Sequence, residues 1–223
     1  MSSNLFKRLI TSSILLLLLL FINFSHQYIF ILSILILGFI ICIEANEMIS
    51  KIPSVKSSKK FNSKFLILNT LTFCYIFFIF CFFSYVIHSS ESAVFFFYIV
   101  SICFFTDIGG YVFGKIIGGK KLSKISPNKT ISGTIGSFIS SIIPLIFFLN
   151  FDYLKLEFNM SNILFCLLIS LISQLGDLFI SFSKRKAKIK DTGNLLPGHG
   201  GLLDRLDGII FAVPFSYFLL ELI

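Results

Sequence analysis

The chain has 223 residues, 56% of them hydrophobic and 13% charged, with a formal net charge of +8 and a mean hydropathy of +0.92. One soluble core of this size cannot hide so much apolar surface, so the composition excludes a soluble globular domain and predicts an all-α, polytopic integral membrane protein. The positive charge suits anionic lipid headgroups and phosphorylated ligands, and no nucleic-acid partner is expected.

In chain order, apolar runs stand at 9–24, 28–43, 65–87, 93–105, 134–151, 163–180 and 209–223. Spanning takes about 20 apolar residues, with tolerance down to about 17, and the runs therefore predict about seven transmembrane helices, the last marginal because it carries Pro214 and Glu221. No small-x-small cleavage pattern follows Phe24, so the first run is expected as a helix and not as a cleaved leader. Residues 1–92 read as N-terminal hydrophobic helices joined by a Lys/Ser linker at 50–64. Glu44 and Glu47, three apart near a helix end, read as interfacial. The aromatic runs, with Phe96 and Tyr98 among them, read as lipid-facing bulk. The five cysteines lie in apolar runs without paired spacing and predict neither disulfides nor a zinc site.

Threading seven spans with Lys7 and Arg8 inside leaves Lys155 as the sole outside residue of the nineteen Lys and Arg. Because short basic loops stay on the cytoplasmic side, this predicts a cytoplasmic N-terminus and a cytoplasm-facing polar cavity.

The whole chain, 1–223, reads as one integral membrane domain whose catalytic half, 93–223, is set apart by Asp, Gly, Ser, Pro and Lys clustered at helix ends. Asp107 faces protein interior or water. Gly110, Gly114 and Gly118, at four-residue spacing, predict a smooth helical stripe for close packing. Ser126, Lys129 and Thr130 precede a helix start, where hydroxyls, free amides and a lysine make an anion site. Gln174, Asp177, Ser181 and Lys184 share one helical face, with Asp177 either paired to a lysine or committed to a cation. Asp204 and Asp207 are expected on one helical face as well; with Asp177 they supply two or three hard oxygen ligands suited to Mg2+. His199 sits among Gly198, Gly200 and Gly201, where backbone can approach a ligand closely.

Ser181, Lys184, Arg185, Lys190, Asp191, Gly193, Leu196, Pro197, His199, Gly200, Gly201, Asp204, Arg205, Leu206 and Asp207 together resemble the signature of the phosphatidate cytidylyltransferases, the CDP-diacylglycerol synthases. The resemblance continues more loosely through 173–177 and 106–136. Ser183 stands where that family has a larger apolar residue, and Ile131 and Ser132 where it has an aromatic and an acid. The resemblance implies that CTP and phosphatidic acid react to CDP-diacylglycerol and pyrophosphate with Mg2+. It further implies metal ligation by Asp177, Asp204 and Asp207. Lys184, Arg185, His199 and Arg205 are the implied catalytic residues, and Ser126, Lys129, Thr130, Ser181 and Lys190 the implied contacts to phosphate groups of CTP or phosphatidate. A second cation and a homodimer are kept open, and the location implied is a cell membrane, the bacterial inner membrane, with the active site cytoplasmic.

Rival readings are a CTP-dependent lipid kinase, a CDP-alcohol phosphotransferase and an ion- or proton-coupled transporter. The phosphotransferase motif fails after Gly208, where the chain runs on as apolar helix. A transporter would concentrate polarity near the bilayer midplane, whereas this chain concentrates it at one surface.

Overall fold

The computed structural model describes residues 13–15, 17–56, 63–122, 126, 129–149, 154, 156–196 and 200–220. Among these there is no β-strand, only isolated bridges pairing Lys121 with Thr130 and Leu196 with Gly200. The apolar helices are α1 (Ser13–Phe24), α2 (Gln27–Ser50), α3 (Ser63–Ser89), α4 (Ala93–Ile116), α5 (Ile131–Phe148) and α6 (Met160–Ala187). A one-turn α7 (Leu203–Leu206) and an apolar α8 (Ile209–Leu220) follow. Where they fall on described residues, the apolar runs read from the sequence lie on α1 to α6 and α8, and among the described residues five helices, α2 to α6, are long and apolar enough to cross a membrane.

The chain divides into two compact units: unit 1 combines Met1–Tyr85 with Ser183–Leu206, and unit 2 combines Val86–Phe182 with Asp207–Ile223. In unit 1, α2 buries Phe30, Ile34, Ile41 and Ala45, and α3 buries Ile76 and Phe80. Gly38 lets the two helices close: a Cβ there would lie 2.8 Å from the Cys81 sulfur. The Cys81 thiol in turn donates to the Ile34 carbonyl across 3.6 Å. The opposite face of α2 leaves Leu32, Leu35, Ile36 and Phe39 exposed, a continuous apolar surface of the kind that meets lipid.

Unit 2 is built on the α4–α5 pair. Gly110 and Gly114 do line the close approach, as their spacing predicts, with Ser137 and Thr130 of the neighbouring segment against them. The third member of the contact is Gly109, where a Cβ would lie 2.6 Å from the Gly136 carbonyl, and not Gly118. Helix α4 ends at Ile116, and Gly118 takes φ 64° in the turn beyond it. That left-handed conformation costs little only without a Cβ. The Ser137 hydroxyl donates to the Thr106 carbonyl at 2.8 Å, a polar tie between α4 and α5.

The aromatic residues of α4 correct the sequence reading. Tyr98 is wholly buried and Phe96 nearly so. The Tyr98 ring packs on Phe148 and Phe165, and its hydroxyl lies 3.1 Å from the Cys166 sulfur. They are core because a buried tyrosine needs its hydroxyl satisfied, and α6 supplies the partner. Hydropathy alone does not separate such a face from a lipid-facing one.

Candidate active site

Helix α6 ends with two hydrogen bonds, Ile189 N–H to the Lys184 carbonyl and Lys188 N–H to the Arg185 carbonyl, both 3.1 Å. Lys188 takes φ 56° at the position that glycine usually fills in such a helix stop. The chain thereby turns into the segment 189–202, held within unit 1 by two carboxylates.

The first is Asp204. One of its oxygens accepts from Lys184 Nζ at 2.7 Å. The other accepts from the Thr192 N–H at 2.8 Å and the Gly201 N–H at 3.1 Å, and lies 3.1 Å from the Thr192 hydroxyl. The side chains of Lys184 and Asp204 are 15% and 6% exposed, so the pair is largely withdrawn from water. Burial pushes the Asp204 carboxyl upward. The Lys184 hydrogen bond, the Thr192 N–H, the Lys184 charge and the Gly201 N–H outweigh it and hold the group below the usual carboxylate range.

The second carboxylate is Glu44, which corrects its reading as interfacial. It is 6% exposed, and one oxygen accepts from the Leu202 N–H at 2.9 Å. The other accepts from the Leu203 N–H at 2.8 Å and the Thr192 hydroxyl at 3.1 Å. Glu44 thus caps the amides that open α7. Two signature glycines make room for it: a Cβ on Gly193 would lie 2.6 Å, and one on Gly201 2.5 Å, from its oxygens. A carboxylate inside an apolar helix signals a demanding environment, and that signal was available in the sequence.

Leu196 and Gly200 exchange backbone hydrogen bonds of 2.9 and 3.2 Å, joining the ends of the stretch that carries His199; His199 itself lies outside the described residues. Arg185, Lys190 and Arg205 are exposed.

The other predicted residues gather in unit 2. Asp177, on α6, forms an ion pair with Lys129, accepts from the Ser181 hydroxyl at 3.2 Å, and lies within hydrogen-bonding reach of the Asp207 carboxyl. The lysine partner foreseen for Asp177 therefore comes from the 126–130 segment. That segment is pinned by Leu122 N–H to the Lys129 carbonyl at 2.8 Å and Ile131 N–H to the Lys120 carbonyl at 3.0 Å. Thr130 spends its hydroxyl as the N-cap of α5, accepting from Gly133 N–H at 3.1 Å. Lys129 N–H bonds to the Ser126 carbonyl at 3.1 Å. Asp207 is buried and accepts from the Gly208 N–H at 2.9 Å. Helix α7 ends at Leu206, and Asp207 lies in the turn immediately beyond it. Asp107 is exposed on α4.

Within each unit, among the described residues, no group of three or more His, Cys, Asp or Glu is arranged to hold a metal ion. Asp177 and Asp207, both in unit 2, are nonetheless hard oxygen donors of the type that a Mg2+ ion takes. A groove of about 370 Å3 in unit 1, lined by Cys42, Asn46, Asn69 and Phe73 among others, contains none of these acids and bases.

A model of the cytidylyltransferase family matches residues 52–223. The chain belongs to the cytidylyltransferase family. Among its relatives are proteins named phosphatidate cytidylyltransferase from Bacillus subtilis (strain 168), 42% identical over 127 residues, which is 56% of this chain and 47% of that protein. The Rickettsia bellii (strain RML369-C) protein of that name is 46% identical over 120 residues, 51% of this chain and 52% of its own. That from Staphylococcus aureus (strain COL) is 44% identical over 135 residues, 59% of this chain and 50% of its own. The chain spans about half the length of these curated relatives. The family match begins at residue 52, so Glu44 lies outside it.

Proposed function

We propose that the chain is a phosphatidate cytidylyltransferase, joining CTP and phosphatidic acid into CDP-diacylglycerol with release of pyrophosphate. The observation that carries this reading is identity of 42–46% to several proteins bearing that name. The Lys, Arg and Asp chemistry of 181–207 supports it. A phosphate oxygen of the lipid attacks the α-phosphorus of CTP, the bond to the β-phosphate oxygen breaks, and pyrophosphate leaves with that electron pair. No covalent enzyme intermediate is needed, so the protein's work is positioning and charge neutralisation.

Asp177 and Asp207, both in unit 2, would hold Mg2+; Asp204, the third acid that the resemblance implies as a ligand, is bonded within unit 1 to Lys184, Thr192 and Gly201. When bound, the cation neutralises phosphate charge and favours departure of pyrophosphate. Lys184, Arg185, Lys190 and Arg205 gather phosphate oxygens, the arginines through bidentate forks. Lys129 and Ser126 approach phosphates from the α5 end, with Thr130 shaping that helix start and Ser181 orienting Asp177. His199 contacts phosphate or handles a proton. The apolar helices admit the acyl chains, and the active site and N-terminus face the cytoplasm of a bacterial inner membrane, where CTP is made.

The test is purified full chain with phosphatidic acid, Mg2+ and CTP labelled at the α- or the γ-phosphate. Label from the α-position alone should enter lipid, with equimolar pyrophosphate released. Entry of γ-label would instead establish a lipid kinase, and no entry of either would reject both.

A further inference from the structure

We propose that Glu44, on α2 and outside the family-matched residues, is the positioning residue for the signature loop Thr192–Leu203. Its carboxylate receives three donors from that loop: the Leu202 and Leu203 amides at 2.9 and 2.8 Å and the Thr192 hydroxyl at 3.1 Å. Thr192 is 1% exposed and lies equally far from Glu44 and Asp204, 3.1 Å from each. The hydroxyl has one proton and donates to one of the two carboxylates at a time, while backbone amides of the loop stay bonded to each. Gly193 and Gly201 are fitted to the same group, since a Cβ on either would come within 2.6 Å of its oxygens.

Besides the internal Leu196–Gly200 backbone pair, the loop is held at its ends from outside. Its first and last residues, eleven positions apart, are fastened to one side chain delivered by another helix. Glu44 touches no substrate in this scheme. It fixes the backbone that Lys190 and Arg205 flank, and this catalytic consequence rests on the proposed cytidylyl transfer.

The experiment compares wild type, Glu44→Gln, Glu44→Asp and Gly193→Ala as full chains in detergent micelles, by hydrogen–deuterium exchange and by steady-state kinetics with CTP. Gln replaces one acceptor oxygen with an NH2 that faces the loop's own donors. Ala at 193 displaces the carboxylate without changing its charge. Both variants should speed amide exchange of 192–203 by about tenfold or more, leave 98–106 of α4 unchanged, and lower kcat more than they raise KM for CTP. Asp, keeping the charge on a shorter stem, should fall between wild type and Gln.

Unchanged exchange in 192–203 overturns the proposal whatever the activity. Faster exchange throughout α4 as well assigns Glu44 to general stability and also overturns it, as does a loosened loop with wild-type kcat. Should wild type transfer no CMP to lipid while Glu44→Gln selectively frees the loop, the proposed activity falls and the loop-fastening role stands.

Discussion

Asp204→Asn tests whether the Lys184–Asp204 pair closes the 189–202 segment. At 2.7 Å and an effective dielectric of about 20, the pair's gross attraction is about 6 kcal/mol, most of it offset by desolvation. Fully buried pairs cost about 3–5 kcal/mol to break from one side and exposed pairs about 0–1. With side-chain exposures of 15% and 6%, about 2–3 kcal/mol is expected. The Thr192 and Gly201 amides also exchange a charged acceptor for a neutral one, adding about 1 kcal/mol. A total of about 3–4 kcal/mol raises the open population of the segment by a factor of roughly 100 to 1,000. Tryptic cleavage after the exposed Lys190 and Arg205 reads that population directly when opening is fast relative to cleavage. Lys184→Met alone should cost about 2 kcal/mol. The double variant should be less damaging than the sum of the singles by about 2 kcal/mol. Additivity within about 0.5 kcal/mol, or cleavage rates altered less than threefold, would refute the reasoning.

Three further outcomes are expected. Because the Asp204 carboxyl is held below its ordinary value of 3.8, its contribution is fully present above that pH and is lost as pH falls through the lowered value; a Leu195→Trp reporter, the only tryptophan in the chain, should keep its emission from pH 7 to 5 and shift only in stronger acid. Asp207→Asn should abolish CDP-diacylglycerol formation while the protein still inserts, measured by lipid product and membrane fractionation; full activity would remove Asp207 from the proposed cation site. Gly136→Val should lower thermal stability in detergent by about 1–3 kcal/mol, since even a Cβ there would overlap Cβ and Cγ of Phe113.

The sequence reads most clearly where one residue's environment follows from its neighbours in the chain. Helix positions came from apolar run length, and the Asp177–Ser181 contact from i, i+4 spacing. The close α4–α5 approach was visible in Gly110 and Gly114, though the helix stop at Ile116 removed Gly118 from it. What stayed hidden depends on partners far along the chain. Tyr98 is core because Cys166 and Phe165 lie against it. Lys129 was foreseen as a phosphate contact, but its pairing with Asp177 requires the α5 entrance to meet α6. Gly201 looked like room for a ligand, and the room there and at Gly193 is taken by Glu44.

The Glu44 contacts close chain separations of 148 to 159 residues. During synthesis α2 enters the bilayer long before the segment it fastens leaves the ribosome, at about 5–20 residues per second. For that interval the helix carries an acid with no loop to receive it, and the loop can settle only once the intervening residues have been made. A recombinant fragment starting at residue 52, as a family boundary would suggest, would emerge with its loop amides uncapped.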